Sequence, residues 1–149
     1  MDEDTLFPTD LDLTDIADDE LIDQIESADK WTYKYDYLNR KMLLTESGQP
    51  IRTTTYEEYL QEVALKILNT ERFQYAVYDE EYGVERSEWS GWEDVEVTRD
   101  IEEALAAHNE IIQAEVIGLD RRPPKCFVSI KIEGLAGSIE LMDEEVLTG

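Results

Sequence analysis

The stretch TTYEEYLQEVALKILNTERFQYAVYDEEYGVE, residues 54–85, decides the reading of the fold. In its first half Tyr56, Tyr59, Leu60, Val63, Ala64, Ile67 and Leu68 recur at the spacing of one helical face, with Glu57, Glu58, Gln61, Glu62 and Lys66 opposite. Thr54 and Thr55, each three residues before a glutamate, offer capping boxes at its start. At 1.5 Å per residue the helix is roughly 22 Å long, enough to cross a small domain. Each large apolar side chain it buries contributes roughly 1.5–3 kcal/mol, which makes it the main core element. Then Asn69-Thr70-Glu71-Arg72-Phe73 sets an acid beside a base where the helix should stop. An aromatic run (Phe73, Tyr75, Val77, Tyr78) leads to the turn-like Asp79-Glu80-Glu81-Tyr82-Gly83. In electrostatic terms alone, Arg72 is a cation complementing the last helical carbonyls.

Upstream the period changes to two. Trp31, Tyr33, Tyr35 and Tyr37 alternate with Thr32, Lys34 and Asp36, a strand signal whose aromatic side reads as a core face, the competing use being a platform for sugar or a stacked base. Leu38-Asn39-Arg40 reads as a turn, Lys41–Leu44 as the returning strand, and Glu46–Pro50 as a loop into the helix. Residues 1–29 read as an acidic arm. Leu6, Phe7, Leu11, Leu13, Ile16, Leu21, Ile22 and Ile25 are apolar anchors set among acids, with one short helix allowed after Asp18 or Asp19. Such a segment is either a disordered tail or a strap that orders along a partner.

Downstream, residues 87–97 read as an acidic, turn-rich segment whose Trp89 and Trp92 are lid residues over the core or anchors for another protein. Thr98 is the expected cap of a second helix carrying Ile101, Ala104, Leu105, His108, Ile111 and Ile112 on its apolar face. His108 is expected to be a satisfied, partly buried imidazole, because no metal-ligand spacing surrounds it. Residues 114–119 read as a strand, and Arg121-Arg122-Pro123-Pro124-Lys125 as a basic loop open to an acidic partner. A terminal hairpin, 127–133 and 138–142, turns at Gly134-Leu135-Ala136-Gly137 and leaves an outer strand able to accept another. The whole is an α+β domain over residues 30–149, two main helices on a mainly antiparallel sheet, preceded by the arm.

The chain of 149 residues has 13 basic and 37 acidic residues, a net charge of −24, which disfavours nucleic-acid binding and suits partners with basic surfaces. The single cysteine, Cys126, excludes an internal disulfide and alternates with Val128, Ile130 and Ile132 as a buried strand residue. No run approaches the roughly 20 apolar residues of a membrane span, and the N-terminus lacks a secretory pattern. Nothing in the pattern points to a catalytic residue, a cofactor or a metal.

The stretch KILNTERFQYAVYDEEYGVE, residues 66–85, resembles the XkdS-like baseplate proteins of PBSX-type phages and prophages. The likeness extends upstream to Lys34-Tyr35-Asp36 and Asn39-Arg40, and more weakly downstream to about residue 142. The wider group includes the lysozyme-like wedge proteins of contractile tails and type VI secretion. Its Glu-Pro-Arg signature corresponds to Glu71-Arg72, without the proline. The resemblance implies a non-enzymatic structural protein of a phage tail baseplate, made in a bacterial cytoplasm and present in several copies in a ring. Its partners would be other wedge subunits, the hub or tube and the first sheath ring, with neither nucleic acid nor membrane. The implied subunit interface is Asn69, Thr70, Glu71, Arg72, Tyr82, Gly83, Trp89 and Trp92. Two other classes compete. An acidic inhibitor could mimic nucleic acid with its charge, and a pair among the many carboxylates could serve a cell-wall glycosidase.

Overall fold

The computed structural model describes residues 27–71 and 82–147. Among them the order is β1 (Tyr35–Asp36), β2 (Lys41–Met42), α1 (Tyr56–Leu68), a 3₁₀ helix (Arg86–Gly91), α2 (Asp94–Ala106), β3 (Ile111–Arg122), β4 (Lys125–Gly134) and β5 (Ser138–Leu147). The fold is mixed α+β with antiparallel sheets: β1 pairs with β2, and β3-β4-β5 form a meander with β4 in the centre. The expected arm anchors Leu6, Phe7, Leu11, Leu13, Ile16, Leu21, Ile22 and Ile25 lie outside the described residues, as does the aromatic run Phe73–Tyr78.

Helix α1 forms for the reason its pattern gives. Tyr56, Leu60, Ala64, Ile67 and Leu68 are buried, and Tyr59 and Val63 pack against the same cluster. Thr55 is the cap, its hydroxyl accepting from the Glu58 amide at 3.1 Å. The Glu58 carboxylate reaches back to the Thr54 amide at 2.8 Å, one residue before the cap. The helix rests against β5 and α2, and α2 against β3. The sheet presents Cys126, Val128, Ile130, Ile132, Leu141 and Val146 to them, all at most 4% exposed. Contact is so close that a Cβ on Gly134 would lie 2.5 Å from the Tyr56 hydroxyl oxygen.

Two elements differ from the sequence expectation. The second helix starts five residues earlier than expected, its cap being not Thr98 but Glu93, which makes a capping box with Glu96; the first buried residue of its stripe is Val97. The stripe then ends at Leu105 rather than continuing through His108 to Ile112. The chain turns at His108, whose Nδ1 accepts the Glu110 amide at 3.1 Å, and Ile111 and Ile112 open β3, the latter 55% exposed. Apolar residues at 111 and 112 continue the helical period by chance, but the β-branched pair serves the strand. Burial holds the His108 imidazole below its ordinary pKa, outweighing the nearby Glu110 charge.

The aromatic alternation at residues 31–37 is also not a core face. Regular pairing is confined to Tyr35↔Met42 and Asp36↔Lys41, with a single Tyr33↔Arg52 bridge, and Trp31 and Tyr33 are 46% and 45% exposed. The turn is as expected, with Asp36 accepting from the Leu38 and Asn39 amides and Arg40 in left-handed backbone.

Two carboxyls between α1 and β5 oppose the packing. Burial pushes both Glu62 and Glu144 above the usual glutamate range, and the Glu144 charge adds to the effect on Glu62. The folded state therefore disfavours their charged forms. That penalty is complete above the raised pKa and is relieved as pH falls toward the unfolded value. Glu144→Gln should raise the thermal midpoint at pH 7, and the gain should vanish near pH 4, below the ordinary glutamate value of about 4.3. Melts of both proteins across that range check it.

Candidate functional site

The end of α1 is finished by side chains. Asn69 caps it, its amide nitrogen Nδ2 donating to Leu65 O at 2.8 Å, and the Thr70 hydroxyl donates to Lys66 O at 2.6 Å. Carbonyls left over at a helix terminus are thus satisfied locally. The cation that reaches this end among the described residues is Arg86, donating to Asn69 O at 3.2 Å from seventeen residues further on. Arg72 lies outside the described residues.

The chain re-enters beside that helix end. Gly83 has φ +92°, and a Cβ there would sit 2.5 Å from Thr70 O, so only glycine fits. The next amide, Val84, donates to the same Thr70 O at 2.9 Å, and Glu71 and Val84 form a parallel bridge. Glu71 then turns its carboxylate to Ser87, whose hydroxyl donates at 2.9 Å. Val84, fully buried, enters the core.

Two charged groups, one buried and one half-buried, fix the residues that follow. The Asp100 carboxylate, 5% exposed on α2, accepts the Glu85 amide and the Trp89 indole N–H, both at 2.8 Å. From β3, Arg121 donates to Trp92 O at 2.7 Å and Trp89 O at 3.0 Å, and pairs with Asp94 at 3.1 Å. Trp89 is therefore a core side chain, 1% exposed, the lid alternative rather than the surface anchor. Trp92 and Tyr82 are half-buried against the core. The supposed basic loop is mostly strand: Arg121 is an internal tether, Arg122 pairs with Asp120 at 2.5 Å and Lys125 with Glu145 at 3.6 Å.

The structure brings Asn69, Thr70, Glu71 and Gly83 into one junction, with Tyr82 next to Gly83 in the chain; Trp89 is tied to it through Asp100, and Trp92 is held separately by Arg121. Reading the sequence missed Asp100 and Arg86, because nothing in their local pattern sets them apart from other charged residues, and it gave Arg121 to a partner-facing basic loop where the structure makes it an internal tether. It also missed Glu110, 1% exposed, which accepts from Lys30 at 2.6 Å and Tyr56 at 3.0 Å. Burial works against the Glu110 charge, but hydrogen bonds from Lys30, Ser27 and Tyr56 hold its carboxyl below the usual range. Tyr56 is pushed up to about 12, mainly by burial, and burial pushes the Cys126 thiol up to about 11.

Concave surfaces near these groups are modest. A pocket of about 190 Å³ lies beside the junction, lined by Arg86, Ser87, Trp89, Ser90 and the Arg121–Cys126 turn. It is smaller than the roughly 300–1,000 Å³ of ordinary small-molecule sites. A depression of about 480 Å³ on the outer sheet face is open to solvent and lined by Glu115, Lys131, Glu133 and Glu140. No group of His, Cys, Asp or Glu suited to a metal ion occurs among the described residues, and no described helix is long and apolar enough to cross a membrane.

No family model matches the chain, and no curated protein matches it.

Gly83→Ala should destabilise the protein by about 2 kcal/mol or more, since a left-handed non-glycine residue costs about 1–2 kcal/mol before the clash is counted. Urea unfolding measures it; a loss under 0.5 kcal/mol would show that the junction yields readily.

Proposed function

We propose that the protein is a structural component of a phage or phage-derived tail baseplate, with the lysozyme-like architecture of wedge proteins. It acts by docking neighbouring subunits and catalyses nothing. One observation carries this reading. The family-like residues on either side of residues 72–81, Asn69–Glu71 and Tyr82–Gly83, meet in a single interlocked junction. A motif split in sequence and joined in space is what a preformed docking surface requires, because an ordered surface loses little entropy on binding. Glu71 is half-buried and already oriented by Ser87, so its carboxylate can take a charge-assisted contact from a neighbour's arginine or lysine.

On this reading the partners are other wedge subunits, the hub or tube and the first sheath ring, with several copies around a symmetric ring. The chain is made in the host bacterial cytoplasm and ends in the virion tail. Its net charge of −24 suits docking to basic surfaces and disfavours nucleic acid. Among the described residues either outer strand, β3 or β5, offers an edge for strand addition, although the Glu102 carboxylate already accepts the Val116 amide on β3.

The test is mass spectrometry of purified tails from the source phage or prophage, with antibody label located by negative-stain microscopy. The expected result is label at the baseplate end. Glu71→Ala should remain folded, with a stability change within about 1 kcal/mol as for other exposed polar contacts, yet fail to enter tails. Absence of the unaltered chain from intact tails would overturn the proposal.

A further inference from the structure

The hairpin of residues 31–53 carries several of its large apolar side chains outward. Its inner side is tied to α1: Lys34 pairs with Glu58 at 3.3 Å, the Tyr35 amide donates to Glu62 at 3.1 Å, and Thr53 is 5% exposed. The pairings Tyr33↔Arg52 and Tyr35↔Met42 set those residues on the opposite face, and the two-residue period adds Trp31 and Leu44. Trp31, Tyr33, Met42 and Leu44 are 46%, 45%, 37% and 54% exposed. Trp31 and Tyr33 meet edge to face at 5.2 Å, and the Arg52 guanidinium lies 4.3 Å from the Trp31 ring centre.

The same hairpin is basic in an acidic protein. Residues 30–53 include Lys30, Lys34, Arg40, Lys41 and Arg52 against Asp36 and Glu46, and Arg40, Lys41 and Arg52 are exposed. Residues 1–26 have the complementary chemistry: acids without a single base, interspersed with Leu6, Phe7, Leu11, Leu13 and Ile16. They join the described structure at Ser27, 2% exposed, just before the Lys30–Glu110 pair and Trp31.

We propose that residues 1–26 cover the outward hairpin face of their own chain, apolar anchors on Trp31, Tyr33, Met42 and Leu44, acids on Arg52 and on Arg40 in the adjoining turn. Length permits it: 26 residues reach up to roughly 85 Å, and the face is only about 15–20 Å long. Covalent tethering favours the chain's own arm, because a short linker gives an effective concentration in the millimolar range. The charge contribution weakens with salt, while the apolar contribution does not. This inference is independent of the baseplate reading.

The test uses the full-length chain with Leu13 replaced by the photo-crosslinker p-benzoylphenylalanine, irradiated in dilute solution and mapped by mass spectrometry. The expected product has monomer mass, with its crosslinks on Trp31, Tyr33, Met42 or Leu44. In low salt the double substitution Arg40→Glu with Arg52→Glu should cut the yield at least fivefold, with circular dichroism unchanged. Crosslinks to other elements, no product, a product of twice the monomer mass, or a yield indifferent to the charge reversal would each overturn the proposal.

Discussion

The approach of Gly83 to Thr70 O is the constraint on which much of the molecule depends. A helix that ends in mid-domain must finish its carbonyls, and this one does so with Asn69, Thr70 and the returning chain. Because residue 83 has no Cβ, its backbone can lie against the helix end, and that places Val84 in the core and the Glu85 amide on Asp100. From there the 3₁₀ helix carries Trp89, the largest fully buried side chain among the described residues, to Asp100 of α2 and Arg121 of β3. The sequence of consequences runs from one missing methyl group to the placement of a tryptophan.

Charge plays two parts. Among the described residues most of the acids are exposed, and surface pairs such as Arg122–Asp120 contribute little because solvent screens them. The few buried acids matter more. Asp100 and Glu110 each gather several donors from distant segments, and removing such an acceptor strands groups that cost about 1–3 kcal/mol apiece. Glu110 joins Lys30 to Tyr56 across most of the described chain, so it also fixes where the N-terminal segment enters the domain. Glu62 and Glu144 show the opposite case, carboxyls whose charged forms burial disfavours.

What was legible in the sequence was what periodicity encodes. The buried stripe of α1, the terminal hairpin with its turn at 134–137 and the buried Cys126 follow directly from pattern. The start of α2 was missed because a glutamate cap inside an acidic run carries little signal, and its end because Ile111 and Ile112 keep the helical phase while belonging to β3. Alternation at Trp31–Tyr37 gave the strand but not which way it faces, since period two is the same for an inward and an outward aromatic row. At the candidate site Asn69–Glu71 and Gly83 stood out, whereas Arg86 and Asp100 did not, and Arg121 stood out only as part of a basic loop. Their roles depend on contacts eleven to thirty-two residues away in the chain.

The most direct measurement is native-state hydrogen exchange at the Val84 amide, which donates to Thr70 O at 2.9 Å. A preformed junction requires protection comparable to that of the central strand β4. Exchange at the rate of an unprotected peptide, with β4 still protected, would mean that the two halves of the motif are not held together in the free protein.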